Sequence, residues 1–492
     1  MNAPEPEPRR PADRADPPKH TLTERPDPDR PATSAPTEQQ LECESPGGSG
    51  SAGHDPYAAL RYPNYWLYSL GWVFSVIGQQ VQSVAVGWEV THRHHADMQH
   101  ASLSLGIVGG VQALPVMLLS IPAGHLADAF DRRRIIVFST LLGAVFSAGL
   151  AAVSYLHWPI WWMYLLLGLN ATALAVGWPA RSALLPQIVP MDVFSNAATW
   201  NSSAFQVAAL AGPAVGGLVV NFTLWGAYAI DAACGLTFVA FLLLIVLHPA
   251  PRDREPPTLS SLAAGIRFVW RTKIVLATIT LDLFAVLLGG ATALLPVYAT
   301  DILHVGAVGF GWLKAAPAIG AFVTAMVIAH APPMKHAGRA MLLAVAGFGV
   351  ATIVFGVSKW YWLSLLAFGL TGAFDNISVV VRHTLVQVLT PDAMRGRVSA
   401  VNNVFIGASN QLGELESGVA GWLLNPVWSV VAGGIGTILV VAAIAVVFPQ
   451  VRRFGSLRDA RPLDEEDDTP GRAFPVIIDA GQAIPPGKGV TP

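Results

Sequence analysis

The sequence predicts an all-α membrane protein with twelve transmembrane helices arranged as two pseudo-symmetric six-helix bundles. Three observations support this fold class. Apolar stretches long enough to cross a bilayer recur along the chain, Lys and Arg residues fall in alternate connections, and the first half of the chain resembles the second. A helical span needs about 20 apolar residues. Lipid offers no partner for backbone polar groups, which favours helices.

Composition excludes several other classes of protein. The 492 residues are 53% hydrophobic and 13% charged, whereas a soluble domain carries about 25% charged residues. The net charge of −2 gives no electrostatic basis for binding nucleic acid. The two cysteines, Cys43 and Cys234, lie in a polar tail and an apolar run, which argues against a disulfide or a metal site. No GxxxxGK[ST] or HExxH motif occurs. We therefore expect a protein that is not an enzyme and that needs no cofactor.

The apolar stretches define the elements in chain order. Segments such as LLGAVFSAGLAAV do not alternate between apolar and polar residues, so they predict helices rather than the strands of a membrane barrel. The predicted spans are 64–90, 101–124, 134–156, 159–181, 197–221, 226–248, 274–300, 307–330, 340–358, 360–386, 398–424 and 428–449.

The remaining segments complete the domain organisation. Residues 1–55 hold 11 of the 37 prolines and predict a disordered cytoplasmic tail. An N-terminal bundle at 56–248 and a C-terminal bundle at 274–450 are joined by a cytoplasmic linker at 249–273. Residues 451–492 form a second polar cytoplasmic tail.

Lys and Arg predict the orientation, because they are enriched in cytoplasmic connections. With both termini inside, the outer connections hold only Arg93 and Lys359. The sequence therefore predicts a multi-pass protein of the cytoplasmic membrane. The inner connections and tail edges hold Arg61, Arg132, Arg133, Arg134, Arg181, Arg252, Arg254, Arg267, Arg271, Lys273, Lys335, Arg339, Arg382, Arg395, Arg397, Arg452 and Arg453.

An internal repeat supports the same count of spans. Several pairs share one offset, and they include an Arg and an Asn as well as glycines. Two repeated halves are typical of transporters, with the substrate path where the halves meet. The pairs are Gly168 with Gly369, Arg181 with Arg382, Leu184 with Leu385, Asn201 with Asn402, Gly212 with Gly413 and Gly217 with Gly418.

Polar side chains inside the spans are candidates for a proton or substrate path, because charge is costly in a bilayer and usually functional there. An alternative for each is that it joins helices. Glu89 and Asp231 lie near outer ends, where solvation is the simpler interpretation. The cluster HRHH at 92–95 suggests a metal site, but a solvated outer loop is favoured. The candidates are Gln79, Gln112, Asp282, Lys314, Asp375, Arg382, Glu414 and Glu416.

The candidates have expected partners. Lys314 occupies the repeat position of Gln112, and Asp282 is its candidate partner. Glu414 and Glu416 lie about 200° apart on a helix and do not share a face. Asp375 and Arg382 are seven residues apart and face one groove, where Arg382 orients a substrate and Asp375 exchanges a proton or pairs with another helix. A structural ion network is the alternative.

The stretch GHLADAFDRRRII at 124–136 resembles the signature loop of the major facilitator superfamily. Gly124, Asp128, Arg132 and Arg133 match that loop, although Asp131 stands where many members have glycine. The resemblance implies a gating loop in which Gly124 permits a tight turn and Asp128 meets the start of span 11. A topology anchor is the alternative for the arginines.

Two further resemblances point to an exporter. GPAVGG, residues 212–217, resembles the family's antiporter motif through Gly212, Pro213, Gly216 and Gly217; a plain packing face is the alternative. Residues 375–418, span 1 and the PARSALLPQIVP segment resemble the siderophore-exporter branch, the enterobactin-exporter type, and the likeness covers about 60–450. Many proton-coupled antiporters carry an arginine within span 4, but here the stretch YLLLGLNATALAVGW has none and Arg181 lies at the cytoplasmic end, so coupling through that residue is not supported.

These resemblances imply a secondary active transporter that exports a small organic molecule by alternating access. The expected substrate is a siderophore, a drug or another metabolite, and the expected driving ion is the proton. The expected partners are the substrate, protons and the lipid bilayer, with no nucleic acid, and the expected state is a monomer. The alternative is a receptor or scaffold with a transporter-like body that does not transport.

Overall fold

The computed structural model describes residues 55–94, 97–246, 266–289, 291–332 and 334–455. Most of the predicted tails, at 1–55 and 451–492, and most of the predicted linker, at 249–273, lie outside these ranges. The long helices are α1 (Pro63–Arg93), α2 (Met98–Ala129), α3 (Arg132–Tyr155), α4 (Ile160–Ile188), α5 (Phe194–Phe222), α6 (Leu224–Leu244), α7 (Lys273–Ile302), α8 (Ala307–His330), α9 (Ala337–Val357), α10 (Tyr361–Leu389), α11 (Asp392–Leu424) and α12 (Pro426–Val447).

Hydropathy agrees with a multi-pass membrane protein. Ten helices in the described part of the chain are long and apolar enough to cross a bilayer. The other two long helices, α1 and α11, have 31 and 33 residues but carry more polar side chains. These twelve helices are consistent with the predicted count.

Helix ends differ from the predicted spans at the α2–α3 connection. Helix α2 continues to Ala129, so most of the predicted gating loop is helical and only two residues separate α2 from α3. Asp131 caps α3 by accepting a hydrogen bond from the backbone N–H of Arg134 at 3.2 Å. At the other end of α2, Asp97 accepts hydrogen bonds from the backbone N–H groups of His100 and Gln99, and these bonds lower the pKa of Asp97.

The two six-helix bundles pack alike. In the first bundle α1 contacts α5 and α6, α2 and α3 contact α4, and α3 contacts α6. In the second bundle α7 contacts α11 and α12, α8 and α9 contact α10, and α9 contacts α12. The bundles meet where α2 packs against α11 and where α5 packs against α8. The repeat relates these two contacts to each other, because α2 corresponds to α8 and α5 corresponds to α11. The predicted two-fold repetition is therefore present in the packing.

Candidate functional site

A cavity of about 260 Å³ lies between the two bundles. Phe310 and Pro296 are among its apolar lining residues. Four of the predicted path residues meet there, although they are far apart in sequence. The polar lining consists of Gln79, Gln80, Gln82, Ser83, Gln112, Thr292, Lys314 and Glu414.

Lys314 forms a polar link across the cavity. Its Nζ donates a hydrogen bond to the Ser83 Oγ of α1 at 2.6 Å, so the link joins α8 of one bundle to α1 of the other. Glu414 of α11 attracts Lys314 electrostatically and packs its Cβ against Gly109 of α2. Ser83 was not predictable as a site residue, because an isolated serine in an apolar span carries no recognisable signal.

The predicted pairing of Asp282 with Lys314 is wrong. Asp282 forms an ion pair with Arg382 of α10, and both side chains are buried. Asp375 lines a small cavity of about 10 Å³ beside Asp282 and Ser378. The second bundle therefore encloses its own charge cluster, because helix α7 brings its carboxylate to α10 rather than to α8.

This cluster changes the expectation for Arg382 and Asp375. Asp375 and Arg382 both lie near Asp282, as their seven-residue spacing suggests. Arg382 is not among the side chains that line the larger cavity. Glu416 also lies away from that cavity and accepts a hydrogen bond from the Ser417 hydroxyl at 3.3 Å. Of the two glutamates, Glu414 is the one that faces the cavity.

Two carboxylates in the first bundle are buried, which corrects the expectation of solvation. Glu89 is 3% exposed and Asp231 is 8% exposed. Glu89 pairs with Arg93 at 2.5 Å and accepts a hydrogen bond from the Tyr228 hydroxyl at 2.8 Å. Asp231 accepts a hydrogen bond from the Ser147 hydroxyl at 2.6 Å. The sequence suggested water at these positions because they lie close to the ends of their spans, but helix packing buries them.

Arg181 is buried as well, in an environment unlike that of its repeat partner Arg382. Its guanidinium lies 5.1 Å from the Trp72 ring centroid and 5.5 Å from that of Phe238. It also donates a hydrogen bond to the Thr140 hydroxyl at 3.1 Å. Stacking against aromatic faces favours a cation in an apolar setting. The two bundles thus hold equivalent arginines by different interactions.

The predicted gating residues occupy the end of α2 and the start of α3. Arg132 donates to the Ala183 carbonyl of α4 at 2.9 Å, and Arg133 donates to the Leu243 carbonyl of α6 at 2.6 Å. Both arginines therefore hold the first bundle together at this end. The side chain of Asp128 lies outside the described part of the structure, so its role stays a prediction.

The tight-turn role predicted for Gly124 is wrong in this conformation. Gly124 lies inside α2, and a Cβ at this position would meet no heavy atom within 4 Å. Among the described atoms, none of the opposite bundle lies within 4 Å of that Cβ, so no close helix approach requires a glycine here.

The GPAVGG motif lets α5 contact two helices at once. A Cβ at Gly212 would lie 2.5 Å from Gln80 Cβ, and one at Gly216 would lie 3.1 Å from Val81 Cα, so these glycines face α1. Gly217 faces α8 of the other bundle, and Pro213 lies within α5. Small residues permit this close approach of helix backbones.

Glycine pairs close one end of the cavity between the bundles. A Cβ at Gly106 would lie 2.9 Å from Gly418 Cα, which joins α2 to α11. A Cβ at Gly217 would lie 2.9 Å from Gly311 Cα, which joins α5 to α8. Both contacts lie towards the α1–α2 and α5–α6 connections. At the opposite end of α11, a Cβ at Gly396 would meet no heavy atom within 4 Å.

The histidine-rich segment forms the end of α1, where His92 is the second-last helical residue and His94 follows the helix. His92 Nδ1 lies 3.0 Å from the Trp88 carbonyl, and His94 Nδ1 lies 3.0 Å from the Val90 carbonyl. Among the described residues, no group of three His, Cys, Asp or Glu side chains could hold a metal ion.

The repeated bundles, the polar cavity between them and the paired inter-bundle contacts are typical of a membrane transporter. The family model described as transmembrane secretion effector matches residues 54–471. The chain belongs to this family of the major facilitator superfamily, as the sequence resemblance predicted. It is a multi-pass membrane transporter and not an enzyme.

Curated relatives agree with this assignment. The chain is 26% identical over 396 residues to an enterobactin exporter of Escherichia coli O1:K1, with 80% of this chain and 94% of the relative covered. Identity and coverage are the same for an enterobactin exporter of Shigella boydii serotype 18.

Solved transporters share the fold at low sequence identity. A bacterial homologue of the human lysosomal transporter Spinster, in an inward-facing and occupied conformation, gives a TM-score of 0.62 at 14% identity, covering 81% of this chain and 99% of that one. The nucleoside transporter NupG gives 0.61 at 14% identity, covering 78% and 99%. These similarities confirm the predicted fold class.

Proposed function

We propose that the protein exports a small organic molecule across the cytoplasmic membrane by alternating access and that proton entry drives the export. The central observation is a polar cavity lined by both bundles and closed at one end by the two glycine contacts. A rocking motion of the bundles around this cavity would open it to one side and then the other. The transporter unit is one chain, because a single copy supplies both bundles.

The orientation follows from the charged connections. Arg132 and Arg133 lie at the α2–α3 connection, opposite the closed end, and basic connections favour the cytoplasm. Both termini then lie in the cytoplasm, and the Gly106–Gly418 contact is external. On this assignment the structure represents the state in which the cavity faces the cytoplasm and accepts cargo for export.

The cavity chemistry suits a polar organic solute. Lys314 offers a cationic donor, Glu414 offers an anionic acceptor, and the amides of Gln79 and Gln112 offer both donors and acceptors. Phe310 adds an apolar wall. Because the curated relatives are enterobactin exporters, a siderophore is the first cargo to test, ahead of drugs and other metabolites.

Proton coupling rests on two partly buried carboxylates. Glu414 lies in the cavity beside Lys314, and Asp375 lies in the second bundle beside Asp282. Burial in a membrane protein makes an ionised carboxylate costly, so each is a candidate for exchanging protons during the cycle. Asp128 and the adjacent arginines are the proposed gate at the cytoplasmic end.

The test is enterobactin export by cells that make this siderophore but lack their own exporter. Full-length protein should restore siderophore in the medium, and Lys314→Met should reduce that export at equal membrane abundance. Lys359→Met is the matched control, because this exposed lysine lies at an outer connection. Metabolite profiling of the same media covers other cargoes. Unchanged media for the wild-type protein, across all metabolites, would favour the scaffold alternative.

A further inference from the structure

A hydrogen-bonded chain in the first bundle connects the cavity wall to a buried acid. Gln82 lines the cavity, and its Nε2 donates to the Ser147 Oγ of α3 at 3.0 Å. Asn170 of α4 donates to the same oxygen at 3.2 Å. Ser147 in turn donates to Asp231 Oδ2 of α6 at 2.6 Å. Four helices therefore contribute to one polar network whose inner end is a carboxylate.

The directions of these hydrogen bonds are fixed by the chemistry of the serine hydroxyl. A hydroxyl has one hydrogen and two acceptor lone pairs. The N–H groups of Gln82 and Asn170 occupy both lone pairs, so the hydrogen of Ser147 goes to Asp231. This arrangement is the one expected for an ionised Asp231, which only accepts hydrogen bonds.

Asp231 forms no ion pair among the residues that the structure describes. On α1 the nearest acid, Glu89, is already held by Arg93 and by Tyr228 of α6. Cys234 lies one turn along α6. Helix α5 carries no titratable residue, and those of α3 are confined to its two ends, at 132–134 and 155. A buried carboxylate without a cation is costly when ionised, and proton binding removes this cost.

Proton binding at Asp231 would reverse the network. Asp231 Oδ1 lies beside Gly78, since a Cβ added to that glycine would be only 2.8 Å from Oδ1. Asp231 Oδ2 instead faces the Ser147 hydroxyl. A proton on Oδ2 would donate to Ser147, and Ser147 would then need an acceptor for its own hydrogen. Rotation of the Gln82 amide supplies one, because it exchanges Nε2 for Oε1 at Ser147 and presents Nε2 to the cavity.

We infer that Asp231 is a proton-binding site coupled to the cargo cavity through Ser147 and rotation of the Gln82 amide. When Asp231 is ionised, Gln82 presents its Oε1 acceptor to the cavity. When Asp231 is protonated, Gln82 presents its Nε2 donor instead. Cargo affinity and proton occupancy are therefore linked by the hydrogen-bonding preference of one side chain. The effect on transport rests on the proposed proton-driven export. The proton site itself can be measured without transport.

Difference infrared spectroscopy of the purified full-length protein, recorded across a pH titration, tests the site directly. We expect a carboxyl band that is lost in Asp231→Asn and a Gln82 amide band that changes with the same midpoint. Gln82→Leu identifies the amide band by its loss. In Ser147→Ala the carboxyl should still titrate while the amide band no longer follows. Glu416→Gln is the matched control, because it replaces a partly buried carboxylate that lies away from the cavity and should preserve the coupled change.

Two outcomes would overturn the inference. One is a wild-type spectrum with no titrating band that depends on Asp231, and the other is a Gln82 band that is indifferent to that titration. The transport consequence is tested separately in proteoliposomes with enterobactin. Asp231→Asn should keep export but flatten its pH profile, and an unchanged profile would refute the coupling. Failure of the wild-type protein to export any solute would instead refute the proposed function and leave the infrared result standing.

Discussion

Replacing Gly418 with alanine should displace the transporter from the conformation described here. A Cβ at this position would overlap Gly106 Cα and lie 2.7 Å from the Ser102 carbonyl oxygen. These neighbours are backbone atoms and cannot rotate away, so α2 and α11 must separate. Overpacking of this kind costs about 1–3 kcal/mol. Because the clash exists only while this end is closed, the ratio of open to closed states should rise about 5- to 150-fold.

Spin labels provide the assay. One label at Gln99 and one at Leu423, both exposed near the closed end, report the separation of α2 from α11 in a Cys43→Ser, Cys234→Ser background. Pulsed dipolar spectroscopy should show a longer-distance population in Gly418→Ala. The control is Gly407→Ala on the same helix.

The control isolates the clash from helix propensity. A Cβ at Gly407 would meet no heavy atom within 4 Å, yet the change gains the same helix propensity of about 1 kcal/mol. Identical distance distributions for Gly418→Ala and Gly407→Ala would refute the reasoning that this contact closes the cavity.

Three further predictions follow from the polar contacts. Arg382→Ala or Asp282→Ala should each destabilise the protein by about 3–5 kcal/mol in thermal unfolding, because each leaves a buried charge unpaired. The double variant should lose less stability than the sum of the two single losses. Additive losses would exclude a coupled pair. Lys314→Met should also raise the open population in the spin-label assay, since it removes a link between the bundles, and an unchanged distribution would assign Lys314 to cargo alone. Asp128→Ala should impair export with membrane abundance nearly intact, whereas a loss of abundance alone would favour the anchor interpretation.

Much of the architecture was predictable because it depends on local and repeated features. Hydrophobic length sets the number of helices that a bilayer can hold, and the Arg181–Arg382 and Gly217–Gly418 repeat positions indicate two related bundles. The glycine pattern of residues 212–217 predicted close helix packing, which the structure contains. These properties depend on local composition and on spacing along the chain, so they can be read without knowing which helices meet.

Partners of the buried charges could not be predicted, since a span fixes the depth of a side chain but not the helix it faces. Only tertiary packing brought Asp282 to Arg382 rather than to Lys314, and Lys314 to Ser83. Packing also buried Asp231 behind Ser147 although its sequence position suggested water. The sequence by itself determined the helices, the two-bundle repeat and which residues carry charge. The tertiary structure decided which charges pair and which groups face the cavity, because these depend on helix rotation and on contacts between residues far apart in the chain.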